Sequence, residues 1–148
     1  MIVVVAPAHP AFGDVCVLFD AYRVHYGQAC APAETRRWLR GNADTGQLRI
    51  TAALDRGRAV GLLTSTVIPA SLTLGTAWLI RDLYVAPGHR RTGTARALLD
   101  EAIGAARASG ARRVSLQTET GNTAALNLYR KAGFEHVDGI EILNLGLA

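Results

Sequence analysis

Residues 85–95 read VAPGHRRTGTA and separate a strand-like segment from a helix-like one. A run of β-branched and aromatic residues leads into it, and the proline and glycine at 87–88 oppose continuation of that strand. After the stretch, apolar residues recur at helical spacing as far as Ala106, which makes one continuous apolar stripe. Residues 85–95 are therefore predicted to connect a strand to the N-terminus of a helix.

This turn has the composition of an anion-binding site. A helix N-terminus presents backbone N–H groups without intrahelical partners, together with the positive end of the helix dipole. Gly93 and the small Ala95 allow a ligand to approach the backbone, while Arg90 and Arg91 add positive charge. The nucleotide P-loop and the dinucleotide fingerprint are excluded, because their lysine and glycine spacings are missing. The pattern predicts a pyrophosphate cradle, with an ordinary helix cap as the alternative.

The sequence on either side of the turn predicts the other elements. Upstream, hydrophobic periodicity predicts a strand, two helices and three strands at 2–5, 15–22, 33–40, 48–54, 58–68 and 74–85. Downstream, it predicts a helix, a strand, a helix and one or two closing strands at 95–106, 114–118, 122–132 and 134–147. The length suits a single domain over 1–148.

Composition narrows the class of protein. The 16 Lys and Arg residues exceed the 12 Asp and Glu residues only slightly and are spread along the chain, which argues against nucleic-acid binding. Cys16, Cys30 and the scattered histidines lack metal-ligand spacing, so no metal is expected. The histidines are assigned solvated or packing roles, although His89 can add charge to the cradle. Without a long apolar stretch, the protein is expected to be cytoplasmic and to need no membrane.

A second segment, residues 122–134, reads NTAALNLYRKAGF. Together with RRTGTA at 90–95, it resembles the GNAT superfamily of N-acetyltransferases, whose motifs are R/Q-x-x-G-x-G/A and N-x-x-A-x-x-L-Y-x-K-x-G-F. Both motifs occur in the family's order and at its separation. The resemblance implies an α+β (α/β three-layer) fold, with a mixed, mostly antiparallel central sheet of about six to seven strands and helices on both faces.

The resemblance also implies an activity, a co-substrate and its binding residues. Acetyl-coenzyme A (acetyl-CoA) would donate an acetyl group to a primary amine of a small molecule or of a lysine-like or polyamine acceptor, and homodimers are a common arrangement. The sheet would splay apart between the strands predicted at 74–85 and 114–118, which would free backbone groups to pair with the pantetheine arm. The implied cofactor-binding residues are Leu83, Tyr84, Val85, Arg90, Arg91, Thr92, Gly93, Thr94, Ala95, Arg96, Asn122 and Tyr129.

Two side chains are candidates for proton transfer. An alkyl amine, with a pKa of about 10.4, starts protonated, and the leaving thiolate needs a proton. By resemblance, Tyr129 is the general acid toward the coenzyme sulfur; the alternative is an aromatic that packs and hydrogen-bonds its hydroxyl. Asp82, inside an apolar strand, either accepts or positions the substrate ammonium or is an ion-pair partner of an arginine. Strand alternation places Asp82 on the face of Trp78, unless a bulge reverses the count.

The remaining site predictions concern the carbonyl oxygen and the acceptor pocket. A backbone N–H of Tyr84 or Val85 is expected to polarise the carbonyl, so no side chain is needed as the oxyanion donor. Tyr22, Tyr26 and Trp38, from the first two predicted helices, are expected to line the acceptor pocket with Asp82 and Tyr84. The competing hypothesis from another class is a non-catalytic acyl-CoA sensor or interaction module with the same fold.

Overall fold

The predicted elements up to the last helix are present in a computed structural model, which describes residues 1–147. The strands are β1 Ile2–Val4, β2 Arg49–Asp55, β3 Arg58–Ala70, β4 Gly75–Val85 and β5 Arg113–Leu116. The helices are α1 Phe12–His25, α2 Pro32–Asp44, α3 Thr94–Ala108 and α4 Thr123–Lys131. Helix α2 is longer than predicted and starts with Pro32, whose fixed φ suits a first helical position.

The chain divides into two compact units, Met1–Gln117 and Thr118–Ala148. The first unit contains the whole sheet and α1 to α3, and the second contains α4. Among residues 1–147, no helix combines the length and the apolar character needed to cross a membrane.

Within residues 1–147, the sheet has five strands in the order β1-β2-β3-β4-β5. All neighbours are antiparallel except β4 and β5, which are parallel, so the predicted mixed and mostly antiparallel sheet is confirmed. The β2–β3 hairpin closes through Arg56 and Gly57, which both have the positive φ that a two-residue hairpin turn requires.

The prediction of six to seven strands is wrong, because residues 134–147 form no strand. Their apolar side chains alternate as in a strand, yet many of them are exposed, including Leu143 and Leu145 at 89% and 87%. Alternation reports only that a segment has an apolar face. It does not supply the neighbouring backbone with which a strand must form its ladder.

Helices cover both faces of the sheet in the first unit. The side chain of Arg49 on β2 forms a bidentate pair with Glu101 of α3, at 2.6 and 3.0 Å. On the opposite face, Tyr22 of α1 reaches Asp82 of β4. The core beneath α1 and α2 is built from large apolar side chains, listed here: Phe12, Val15, Phe19, Leu39, Ile50 and Leu62.

Gly61 on β3 allows α3 to sit close to the sheet. A Cβ at this position would lie 3.1 Å from Thr94 Cγ2 and 3.2 Å from Leu98 Cδ1, tighter than ordinary van der Waals contact. The N-terminal turn of α3 therefore packs directly on β3.

Candidate functional site

A β-bulge in β4 determines which face carries Asp82. Thr64 pairs with Asp82 and Ser65 pairs with Ile80, so Arg81 is the extra residue in β4. Cross-strand partners share a face, and Thr64 and Ser65 point to opposite faces because they are adjacent on β3. Asp82 therefore lies opposite Ile80 and Trp78. The simple alternation count, which placed these residues together, is wrong for this reason.

The Asp82 carboxylate is held by two hydroxyl groups. The Tyr22 phenol donates to Oδ1 at 2.8 Å, and the buried Thr64 hydroxyl donates to Oδ2 through a short hydrogen bond. Among residues 1–147, the ion pairs do not include Asp82, and its role toward an acceptor stays a prediction. Thr64 was not predicted; its only sequence signal is a polar residue within an apolar strand.

Aromatic rings pack next to this carboxylate through Tyr22. Tyr22 of α1 lies 5.5 Å from Tyr84 of β4 and 5.2 Å from Tyr26, measured between ring centroids. Trp38 stacks on Phe19 at 6.1 Å, and Phe19 contacts Tyr22 at 5.4 Å, so Trp38 is one ring further away. Tyr22, Tyr26 and Tyr84 thus pack on one another, and Trp38 is joined to them through Phe19; that these rings line an acceptor pocket stays a prediction.

The sheet opens beside the end of β4. The β4–β5 ladder stops at the Ile80–Leu116 pair, whereas the β4–β3 ladder continues to the Val85–Gly61 pair. The second half of β4, which contains Leu83 and Tyr84, is therefore paired with β3 alone in the first unit. A strand with one edge left unpaired can pair with an extended ligand.

The turn between β4 and α3 contains two residues with left-handed backbone conformation. Arg91 has φ +60° and Gly93 has φ +82°, and a Cβ at Gly93 would meet nothing within 4 Å. Gly93 is the N-cap of α3; it makes no side-chain cap, and the first turn contains no acidic residue. The positive end of α3 thus lacks the carboxylate that often neutralises it.

The side chains around this turn form a local network. Thr92 Oγ1 donates to the His89 carbonyl at 2.6 Å and lies 2.9 Å from Thr94 Oγ1. Arg96 donates through Nε to Asp100 at 2.8 Å, one helical turn further along α3. Apart from its chain neighbours Thr92 and Thr94, Gly93 has no heavy atom within 4 Å of the position of a Cβ.

Arg90 and His89 connect the turn to neighbouring elements. Arg90 Nε donates to the Val85 carbonyl at 3.0 Å, and its guanidinium lies over the Tyr84 ring at 5.5 Å. The carbonyl of Val85 is thus already engaged by a side chain. His89 Nε2 lies 3.5 Å from Asp55 Oδ2, so the turn and the β2–β3 hairpin are joined when this histidine is protonated.

Asn122 and Tyr129 belong to the second unit. Asn122 is the N-cap of α4, and its Oδ1 accepts a hydrogen bond from the Ala125 N–H at 3.2 Å. Tyr129 packs edge to face against Phe134, with ring centroids 5.9 Å apart. Both residues therefore organise the α4 motif locally.

A polar network that the sequence did not reveal ties α1 to α2. Asp20, only 5% exposed, accepts hydrogen bonds at Oδ1 from Arg23 and from the Thr35 hydroxyl, both at 2.8 Å. The Cys30 thiol donates to Oδ2 at 3.1 Å, and the Ala31 N–H adds a further bond. The Thr35 hydroxyl, followed by the Cys30 thiol, lowers the pKa of Asp20 to about 2. The same hydrogen bond to Asp20 raises the pKa of the Cys30 thiol.

Among residues 1–147, no group of three or more His, Cys, Asp or Glu side chains is placed to hold a metal ion. The mixed sheet and the glycine turn before α3 define the class of α+β acetyltransferase folds.

Comparison with known proteins identifies the family within this class. The model of the acetyltransferase (GNAT) family matches residues 14–134. The chain belongs to the GNAT family and is an N-acetyltransferase, that is, an acyltransferase. GNAT enzymes bind acetyl-CoA as co-substrate together with an acceptor.

Individual relatives agree with this assignment. An uncharacterized N-acetyltransferase of Bacillus subtilis (strain 168), YhfO, is 29% identical over 125 residues, which cover 84% of each chain. The crystal structure of a probable acetyltransferase superposes with a TM-score of 0.93 at 27% identity, covering 100% of this chain and 98% of the other. An aminoglycoside acetyltransferase from an uncultured soil metagenomic sample, crystallised with sisomicin, has a TM-score of 0.83 at 20% identity, covering 100% and 96%; this likeness shows the fold alone.

Proposed function

We propose that the protein transfers an acetyl group from acetyl-CoA to a primary amine of a small molecule or of a lysine-like or polyamine acceptor, directly within a ternary complex. The observation that carries the proposal is the Asp82 carboxylate, held by Tyr22 and Thr64 on the half of β4 that is paired with β3 alone. A fixed carboxylate beside a strand edge can orient an ammonium group toward a donor lying along that edge.

The turn before α3 fits the diphosphate of coenzyme A. Gly93 leaves open space above the backbone, and the N-cap of α3 carries neither a side-chain cap nor a nearby acid. These features leave the backbone N–H groups of the first turn, around Thr94, Ala95 and Arg96, to bind an anion. Arg91 and Thr92 lie in the same turn, and Arg90 contributes its charge from the side of Tyr84. Acetyl-CoA supplies the activated acetyl thioester.

The remaining residues take the following roles in the proposal. Asp82 accepts a hydrogen bond from the acceptor ammonium and, directly or through water, receives its proton. The backbone of Leu83 and Tyr84 pairs with the pantetheine arm, and an N–H of Tyr84 or Val85 donates to the acetyl carbonyl oxygen. On the family resemblance, Tyr129 gives a proton to the leaving thiolate and Asn122 contacts coenzyme A.

Three broader features belong to the same proposal. The family match runs from residue 14 to 134 and so includes parts of both units, which supports a single N-acetyltransferase domain. The free thiols of Cys16 and Cys30 suit the reducing cytoplasm. The homodimer rests on the family resemblance.

A panel of amines tests the proposal. Polyamines, amino acids, aminoglycosides, arylalkylamines and lysine peptides are each incubated with acetyl-CoA, and free thiol is measured over time. Saturable thiol release that depends on an amine, with the acetylated amine identified by mass spectrometry, is expected. Saturable binding of acetyl-CoA without amine-dependent release would favour the competing acyl-CoA sensor instead.

A further inference from the structure

Four rings close into a circuit at the C-terminal end of α1. Tyr22 lies 5.2 Å from Tyr26, Tyr26 lies 5.1 Å from His25, His25 lies 6.0 Å from Tyr84, and Tyr84 lies 5.5 Å from Tyr22, all between centroids. We call these four residues the ring cluster. It joins the last turn of α1 to β4, directly beside Asp82. His25 thus belongs to the surroundings of the candidate site.

The ring cluster is a packed surface and not a cage that could hold a cation between its rings. A cation held between two ring faces needs them at least about 7 Å apart, since heavy atoms in contact lie about 3.5–4.0 Å apart. The separations of 5.1–6.0 Å are shorter, and the inclined planes show that the rings pack on one another. His25 and Tyr26 are nevertheless exposed, Tyr26 to 53%. The cluster therefore offers its outer side to a ligand.

Tyr22 links this surface to the carboxylate. Its hydroxyl donates to Asp82 Oδ1, while its ring contacts both Tyr26 and Tyr84. An acceptor whose ammonium lies at Asp82 has the ring cluster beside it. A flat aromatic body joined to the amine by a short alkyl link would then stack on these rings, burying apolar area on both sides.

The charges nearby argue against a polycation as the preferred acceptor. On α1, the carboxylate of Asp20, two residues before Tyr22, is ion-paired with Arg23 at 2.8 Å. On the β4 side, the guanidinium of Arg90 lies 5.5 Å from the centre of the Tyr84 ring. Additional ammonium groups would therefore meet a neutralised acid and a positive charge.

We infer that the preferred acceptor is a monoamine with an aromatic body, and that His25 and Tyr26 are specificity-determining residues that stack against that body. The inference rests on the proposed acetyltransferase function and narrows its acceptor class. It departs from the polyamine acceptors that the family resemblance suggests.

The test compares acceptors and variants by initial rates at saturating acetyl-CoA. For the wild-type enzyme, 2-phenylethylamine is expected to have a kcat/KM at least about tenfold above those of butylamine, spermidine and sisomicin, the factor that a buried ring contact would give. His25→Ala and Tyr26→Ala are expected to raise the KM for 2-phenylethylamine several-fold more than the KM for butylamine. His25→Phe, which retains a ring, is expected to restore the preference.

Val24→Ala is the matched control, because Val24 is exposed on the same turn of α1 and points away from its sequence neighbours on a helix. Equal or better use of spermidine or butylamine by the wild type would overturn the inference while leaving the acetyltransferase proposal intact. So would an unchanged preference in both alanine variants. Absence of thiol release with every amine, together with absence of acetyl-CoA binding in calorimetry, would remove the proposed function and the inference with it.

Discussion

Tyr22 and Asp82 lie 60 residues apart in sequence, and the Tyr22 hydroxyl donates to Asp82 Oδ1 at 2.8 Å. This bond joins α1 to β4 and holds the carboxylate in one orientation. A hydrogen bond of this kind contributes on the order of 1 kcal/mol, and bonds to charged groups contribute somewhat more. The orientation of the proposed acceptor-binding group thus depends on a residue of the first helix.

Tyr22→Phe removes this donor and keeps the ring. We expect kcat/KM for the acceptor to fall about five- to tenfold, because the carboxylate loses one of its two hydroxyl partners. The affinity for acetyl-CoA, measured by calorimetry, should stay the same. Thr73→Val serves as the control, since it removes a hydroxyl that donates to the Ala70 carbonyl elsewhere in the β3–β4 hairpin. An equal loss in both variants would contradict the prediction.

Asp82→Asn tests the role of the carboxylate itself. The amide keeps the shape but carries no charge to hold an ammonium group, so we expect a higher KM for the amine and an altered pH profile of kcat/KM. Steady-state kinetics across a pH series provides the measurement, with thermal unfolding recorded in parallel. Normal kinetics per folded molecule combined with a lower melting temperature would assign Asp82 a structural role only.

Gly93 is expected to be required for coenzyme A binding. In Gly93→Val, the new side chain would occupy the open space above the turn, and a β-branched residue strains a backbone with φ +82°. We expect the affinity for coenzyme A to fall at least about tenfold, since a blocked approach removes several backbone hydrogen bonds. Calorimetric titration of the folded variant measures this loss.

Gly110→Val is the matched control for Gly93→Val. Gly110 follows α3 at its other end, has φ +78°, and likewise has open space around the position of a Cβ. The two variants therefore carry similar backbone strain, and only one lies in the proposed cradle. Equal coenzyme A affinities in the two would count against the cradle.

Local signals in the sequence were sufficient for most of the fold. The apolar stripe of α3, the Pro87 stop and the Arg56-Gly57 turn each act within a few residues, so their patterns predicted the elements correctly. The prediction of closing strands at 134–147 was wrong because a strand depends on a partner strand, which local sequence does not specify. The prediction that Asp82 shares a face with Trp78 was wrong because one extra residue, Arg81, shifts every later side chain of β4 to the other face.

In the candidate site, too, features set by neighbouring residues were predictable and features set by distant residues were not. The turn before α3 could be recognised from the sequence, because its conformation depends on consecutive residues that include Gly93. The roles of Thr64 and of the ring cluster could not be predicted from the sequence. They depend on which residues of β3, β4 and α1 lie opposite one another in the fold. His25 showed no spacing signal at all, and only the packing of α1 places it next to Tyr84.

Tyr129→Phe separates binding from turnover. The phenylalanine ring can keep the packing against Phe134, whereas the hydroxyl that would protonate the leaving thiolate is lost. We expect kcat to fall about a hundredfold or more, as for the loss of a general acid, with unchanged affinity for acetyl-CoA. Rapid-quench measurement of acetyl transfer, alongside calorimetry, distinguishes the two quantities. A wild-type kcat in this variant would exclude Tyr129 as the proton donor.

Asp20 is expected to make folding stability depend on acid. Its pKa is lowered from 3.8 to about 2 in the folded protein, chiefly by the Thr35 hydroxyl and the Cys30 thiol. A lowered pKa means that the ionised carboxylate stabilises the fold fully above pH 3.8, and that this contribution disappears as the pH falls through about 2. In urea unfolding, Asp20→Asn should therefore be less stable than the wild type at neutral pH, and the difference should shrink across this window. Asp44→Asn, at an exposed position, is the control. If the stability difference between Asp20→Asn and the wild type did not change with pH, the ionised network would not be what joins α1 to α2.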